Sequence, residues 1–192
     1  MRLCESVRMA VIDLDGFVAN EKMHAIEHGF HVHDERHFIE TYSLAQQWEV
    51  DLHPENACGG PLDLHMALEV DPRVVLAFED RVLEDESEPE DEYHLPLYFN
   101  WVLPPLPSPP DLLVLATELA GVAGTILPLE VSAIDSFASV TDAPQRSLAI
   151  KGSVEVSLLD VSKADVHLCD VLDRCKEISE FLLEKAPAWL AA

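Results

Sequence analysis

An α+β fold with an antiparallel sheet of about five to six strands is the class this sequence predicts, and three stretches carry the prediction. Leu62, Leu64, Met66, Leu68 and Val70 alternate without a break against Asp63, His65, Ala67 and Glu69, the period of two that a half-buried strand requires. Tyr93, Leu95, Leu97, Phe99, Trp101 and Leu103 repeat that alternation, and Leu148, Ile150, Val154, Val156 and Leu158 share a face opposite Lys151, Ser153, Glu155 and Ser157. Leu168, Val171, Leu172, Cys175, Ile178 and Leu182 recur instead at helical spacing, which gives a long C-terminal helix one apolar stripe to lay on the sheet.

The remaining elements follow in chain order. Val7 to Leu14 reads as a short strand ended by an Asp15-Gly16 turn, and a helix starts at Asn20, with Met23 and Ile26 on its apolar edge and Gly29 as its stop. Asp34 offers a second helix start. Phe38, Tyr42 and Ala45 fit helical spacing, while Phe38, Tyr42, Leu44, Trp48, Val50 and Leu52 also fit alternation, so the reading is helix to about Leu44 and strand from Gln46 to Leu52. Pro54, Asn56, Gly59, Gly60 and Pro61 mark a dense turn that feeds the Leu62 strand. Val74, Val75, Leu76, Phe78 and Val82 are expected to form the second arm of a hairpin turned at Asp71-Pro72-Arg73.

Residues 84–92 form an acidic loop with too much like charge to compact. Pro96 places the Tyr93 to Leu103 strand at a sheet edge, because a missing N–H interrupts a central ladder. Residues 104–110 make a proline-rich connector into a middle helix, with Ser108 as cap, Pro109 in the first turn, Asp111 at the capping-box place and Gly121 near the stop. The apolar run Leu112 to Ala116 also admits a buried strand. Strands follow at Thr125 to Ile134 and Ser147 to Leu159, turned at Thr141-Asp142-Ala143-Pro144, and the last helix is capped by Ser162 and closed by Pro187. A helix-grip arrangement, with the C-terminal helix across a curved sheet, is a second architecture for the same elements.

A chain of 192 residues with 48% apolar content is read as one domain, 1–192, with a sizeable core. Its 36 acidic and 12 basic residues give a formal net charge of −24. That surface repels phosphate backbones and anionic membranes, and no Lys/Arg stripe reverses the field, so neither nucleic acid nor membrane is an expected partner. A protein or peptide partner with basic and apolar residues fits better. Cys4, Cys58, Cys169 and Cys175 form no CxxC pair and are read as reduced thiols, with Cys169 and Cys175 on different helix faces. No signal peptide or membrane span is expected, and the default compartment is cytoplasmic.

Two motifs carry possible chemistry. Met23-His24-Ala25-Ile26-Glu27-His28 contains H-x-x-E-H, which resembles the inverzincin pattern. That resemblance implies zinc held by His24 and His28 with Glu27 activating water. Glu21, three residues before His24, makes a Glu21-His24-His28 metal trio available on one helix, and His31, His33 and His37 add imidazoles nearby. Val11-Ile12-Asp13-Leu14-Asp15-Gly16 resembles the first motif of haloacid dehalogenase-like phosphatases. There the resemblance implies Asp13 as nucleophile, Asp15 as acid/base and magnesium between them, with Thr117, Lys151, Asp170 and Asp173 for the later motifs. No G-x-S-x-G, G-x-G-x-x-G or P-loop occurs.

The order of elements and the acidity are similar to the α-β-β-β-α-β-β-α plan of type III secretion chaperones and YbjN-like proteins, which bind other proteins. The leading expectation is therefore a non-enzymatic, chaperone-like binding module without cofactor, a homodimer in one version, with Tyr98 and Trp101 on an edge strand as partner-binding residues. The competing expectation is a zinc or magnesium hydrolase at the two motifs.

Overall fold

The computed structural model describes residues 12–84, 89–137, 139 and 145–191. Six strands form one antiparallel sheet in the order β1-β2-β3-β4-β6-β5. They are β1 (Phe30–Ile39), β2 (Gln46–Pro54), β3 (Asp63–Val70), β4 (His94–Val102), β5 (Leu129–Ser136) and β6 (Gln145–Ser157). The helices are α1 (Leu14–Glu27), α2 (Pro72–Glu84), α3 (Leu112–Ala123), α4 (Leu158–Lys163) and α5 (Cys169–Leu190). The predicted class holds, including the helical N-terminal region, the middle helix and the long C-terminal helix.

One face of the sheet and the apolar faces of α1, α3 and α5 share a continuous core. Leu64, Met66, Leu68, Leu95, Leu97, Phe99, Trp101, Leu148, Ile150 and Val156 come from the sheet, and Val171, Leu172, Cys175, Ile178 and Leu182 from α5. The C-terminal stripe read from spacing is the buried stripe of α5. Trp101 ties the two layers together, because its indole Nε1 donates to Ser179 Oγ at 2.9 Å and Ser179 Oγ donates to the Cys175 carbonyl at 2.7 Å. A buried Trp needs a partner for its N–H, and a serine on the facing helix provides one without a charge.

Four sequence-based expectations are corrected. The second arm of the expected hairpin is the helix α2, not a strand. Asp71 accepts from the Arg73 backbone N–H at 2.9 Å, Pro72 occupies the first turn, and Val74, Phe78 and Val82 fall four apart, so the turn chemistry starts a helix that its valines alone would not favour. Residues 34–39 are strand, not helix, because β1 pairs with β2 from Phe30↔Pro54 to Ile39↔Gln46.

The β4 strand is central, not an edge. It lies between β3 and β6, with Leu95, Leu97, Phe99 and Trp101 each 0–1% exposed. Pro96 lies beyond the end of the ladder to β3 at Leu97↔Leu68 and stands opposite Glu155 in the ladder to β6. The true edges are β1 and β5.

At the N-terminus, Asp13 is the cap of α1, accepting from Gly16 N–H at 2.8 Å, so Asp15-Gly16 lies in the first helical turn rather than in a turn after a strand. Most of the expected strand at 7–14, the core of the acidic loop at 85–88, and the turn at 141–144 lie outside the described residues.

Smaller shifts have local causes. Asp111, not Ser108, caps α3, accepting from the N–H groups of Leu113 and Val114, and Gly124 ends it at φ 63°. Ser108 instead donates from its backbone and hydroxyl to the carbonyls of Trp189 and Ala191, pinning the proline connector to the end of α5. Ser162 does not cap the long helix but lies inside a short α4 capped by Ser157; Ala164 then turns the chain at φ 53°, and α5 starts after Leu168 without a side-chain cap. Pro187 sits inside the last turns of α5 rather than closing it.

Candidate functional site

The helices leave the other face of the sheet open, and the strand register decides what stands on it. A bulge between Val32 and Asp34 makes His33 the extra residue of β1. Before the bulge the odd residues of β1 face away from the core; after it the even ones do. His31, His33, Asp34 and Arg36 therefore all project from the open face, which a regular strand would not allow. Across the neighbouring strands, Asp34, Asp51, His65, Asn100, Lys151 and Glu130 stand opposite one another in turn, a polar row crossing the sheet.

Two groups of potential metal ligands form on this face, with ligand atoms within 4.8 Å of one another. They are His31, His33 and Cys58, and Glu49, Asp51 and His65. The second group is already held by a cation. Arg36 donates to Asp51 Oδ2 at 2.9 Å, to Glu49 Oε1 at 2.9 Å and to Asp34 Oδ2 at 3.0 Å, while His65 Nδ1 lies 2.6 Å from Asp51 Oδ1. Burial pushes the Asp51 carboxyl up, but Arg36 and His65 outweigh it and hold it below the usual carboxylate range. The carboxylates raise the Arg36 guanidinium in return.

The first group lies at the end of the face where β1 begins. The tight β2–β3 connection brings Cys58 back over β1. Residues Glu55–Ala57 form a 3₁₀ turn, Glu55 N–H donates to the Gly29 carbonyl, and Gly60 N–H donates to the Ala57 carbonyl at 2.8 Å. Gly59 between them takes φ 79°, a conformation that disfavours a side chain. Cys58 Sγ then sits 2.9 Å from His31 Nδ1 and 3.6 Å from His33 Nε2. His53, opposite His31 in the ladder, packs edge-on against His33 with ring centroids 4.5 Å apart. Burial, then the neighbouring His33, depress the His53 imidazole, partly offset by Asp63 at 3.3 Å from its Nε2.

At the opposite end of the face is a groove of about 670 Å³. Phe38, Gln47, Glu69 and Pro96 line its sheet side, Glu40 and Ser43 come from the β1–β2 connection, and Asp71 to Val74 come from the start of α2. Phe38 is 48% exposed there, and Tyr42 and Leu44 stand exposed on the adjacent turn. Tyr98 is on the open face between the groove and the His/Cys group, with Lys151 Nζ 3.4 Å over its ring. Burial, Glu69 and Glu155 raise its phenol above the ordinary range.

The structure treats the other predicted site residues differently. Trp101 is buried in the core and Trp48 likewise, its ring stacked under His37, so neither faces the groove. Glu21, His24 and His28 do not converge as a metal trio. Glu21 is fully buried, with His24 Nδ1 3.5 Å from its Oε1 and no hydrogen bond to either carboxyl oxygen, whereas His28 turns to Asp173 on α5 at 2.6 Å. Burial raises the Glu21 carboxyl above its ordinary range against a smaller pull from His24. Glu27 is exposed at the end of α1.

The phosphatase-like residues are scattered as well. Asp13 caps a helix on the core side of the sheet, Lys151 stands on the open face, and Thr117 Oγ1 donates to the Leu113 carbonyl within α3. Asp15 lies beside Asp13, and Asp170 and Asp173 lie on exposed positions of α5. The sheet is antiparallel throughout, whereas that phosphatase fold is built on a parallel one.

The residue that spacing missed is Cys58, more than twenty positions from His31 and His33 and brought to them by the β2–β3 connection. Cys58, Cys169 and Cys175 are free thiols; Cys169 is exposed, and burial raises the Cys175 thiol. Among the described residues no helix is long and apolar enough to cross a membrane. Compared with protein-family models, curated proteins and solved structures, the chain gives no match.

Proposed function

We propose that this protein is an acidic, non-enzymatic binding module of chaperone-like type, which receives a polypeptide segment rich in basic and apolar residues on its open sheet face. The observation that carries the reading is the groove at Phe38. Phe38, Pro96 and Val74 give it apolar surface, and Glu40, Glu69 and Asp71 give it negative charge, on a chain whose formal net charge is −24. A basic segment gains from that field, and its apolar residues gain from covering Phe38. Arg73 pairs with Asp71 at 2.6 Å and offsets that carboxylate, so the negative charge left at the groove is that of Glu40 and Glu69. Exposed Ile134 and Phe137 beside the β5 edge support a homodimer as part of the same reading.

Fluorescence anisotropy of two labelled peptides tests the proposal, one alternating Lys and Leu, the other Glu and Leu. The Lys/Leu peptide is expected to bind more weakly as salt rises, and Glu40→Lys with Glu69→Lys should weaken it more than about tenfold, or about 1.4 kcal/mol. Glu180→Lys with Glu184→Lys on α5 makes the same change in net charge away from the groove. Equal loss in both double variants would reduce the effect to net charge and refute a site at the groove. Sedimentation of the same samples reads the oligomeric state.

A further inference from the structure

We infer that His31, His33 and Cys58 form a zinc-binding site on the open face, at the end away from the groove. The donors are two imidazole nitrogens and one thiol, a borderline-soft set that suits zinc and is poorly matched to magnesium or calcium, which take oxygen ligands. The geometry is close to what the ion needs. With Zn–N near 2.0–2.1 Å and Zn–S near 2.3 Å, tetrahedral N···S separations are about 3.6 Å. Cys58 Sγ to His33 Nε2 is 3.6 Å already, and Cys58 Sγ to His31 Nδ1 is 2.9 Å, closer than the tetrahedral value. An entering ion would replace the thiol proton, which leaves to solvent, and the His31–Cys58 contact would open by roughly 0.7 Å to the tetrahedral value.

The backbone assembles the three donors. His31 and His33 share a face as alternate residues of β1, and the Gly59 turn returns Cys58 to them. His53 is an independent sign. Its ring packs against His33, its Nε2 faces Asp63, and its Nδ1 is buried without a hydrogen-bond partner. A carboxylate-anchored ring in that place restrains His33, as groups around metal ligands commonly do. All three donors are exposed, so the ion has an entry path and its fourth position is left to water. The neighbouring Glu49, Asp51 and His65 group differs in that Arg36 occupies it.

The test uses the full chain, stripped of metal and kept reduced, titrated with cobalt(II) and then displaced with zinc. One cobalt per chain is expected, with thiolate-to-cobalt charge transfer and the strong visible absorption of a tetrahedral ion. Cys58→Ser should abolish the charge-transfer band, and His31→Ala with His33→Ala should weaken zinc more than about tenfold, each at unchanged far-ultraviolet circular dichroism because the three side chains are exposed. His65→Ala should leave binding intact. A wild-type chain without the thiolate band overturns the assignment, as does binding that survives Cys58→Ser but is lost in His65→Ala.

Discussion

Glu21 is a carboxylate placed where α1 needs an apolar side chain, and replacing it should stabilise the protein. The buried stripe of α1 runs Leu14, Phe17, Val18, Glu21 and Ala25, so Glu21 occupies its middle with 0% exposure and neither oxygen hydrogen-bonded. A buried polar group left unsatisfied costs about 1–3 kcal/mol. Glu21→Met keeps an unbranched side chain of similar length, and should recover that amount near neutral pH, or about 2–4 °C in Tm per kcal/mol for a chain of this size.

The pH dependence has a definite sign. The folded carboxyl is raised above its ordinary value of 4.5, with burial as the largest cause. The native state therefore holds this proton more tightly than the unfolded chain does. Its contribution is fully present below the unfolded value and is lost as pH rises through the folded one. The advantage of Glu21→Met should accordingly grow as pH rises from about 5 toward 8. Urea unfolding of wild type, Glu21→Met and Glu21→Gln across that range measures it. Glu21→Gln should lose the pH dependence without the full gain, since its amide is also unsatisfied. A Glu21→Met chain no more stable than wild type at pH 8, or a gain that does not change with pH, would refute the reasoning.

Two further perturbations probe the layers that position the open face. Ser179→Ala leaves the buried Trp101 N–H without its acceptor and should cost about 1–3 kcal/mol in chemical denaturation. Asp111→Ala removes the side chain that accepts from Leu113 and Val114 N–H, and should cost about 0.5–2 kcal/mol; thermal unfolding reads that loss, and Asp111→Ser should restore most of it.

The two proposed sites depend on one architectural decision. Because α1, α3 and α5 cover a single face, the sheet's polar alternation is presented to solvent as a continuous surface, with the groove near Phe38 and Glu69 at one end and His31, His33 and Cys58 at the other. The Arg36 cluster lies between them and uses its cation to keep Asp34, Glu49 and Asp51 together. Like charges placed on adjacent strands repel, and a guanidinium that reaches three of them offsets the repulsion at that row.

Local pattern determined the strands around Leu64 to Val70, Leu95 to Trp101 and Leu148 to Val156 and the stripe of α5, because alternation and helical spacing are properties of adjacent residues. Pattern failed where two periods coexist or where pairing overrides propensity. Val74 to Leu83 looked like strand until Asp71 and Pro72 started a helix, and Phe38 fitted both periods until pairing with β2 chose strand. Pro96 pointed to an edge, but edge or centre is set by which strands come to lie alongside, and those arrive from β3 and β6. The same distinction separates the sites. His24 and His28 are neighbours in sequence, yet the fold sends one toward Glu21 and the other to α5. His31 and His33 share a strand face by alternation, but Cys58 is made their neighbour only by the β2–β3 connection and its glycine turn, which no spacing rule encodes.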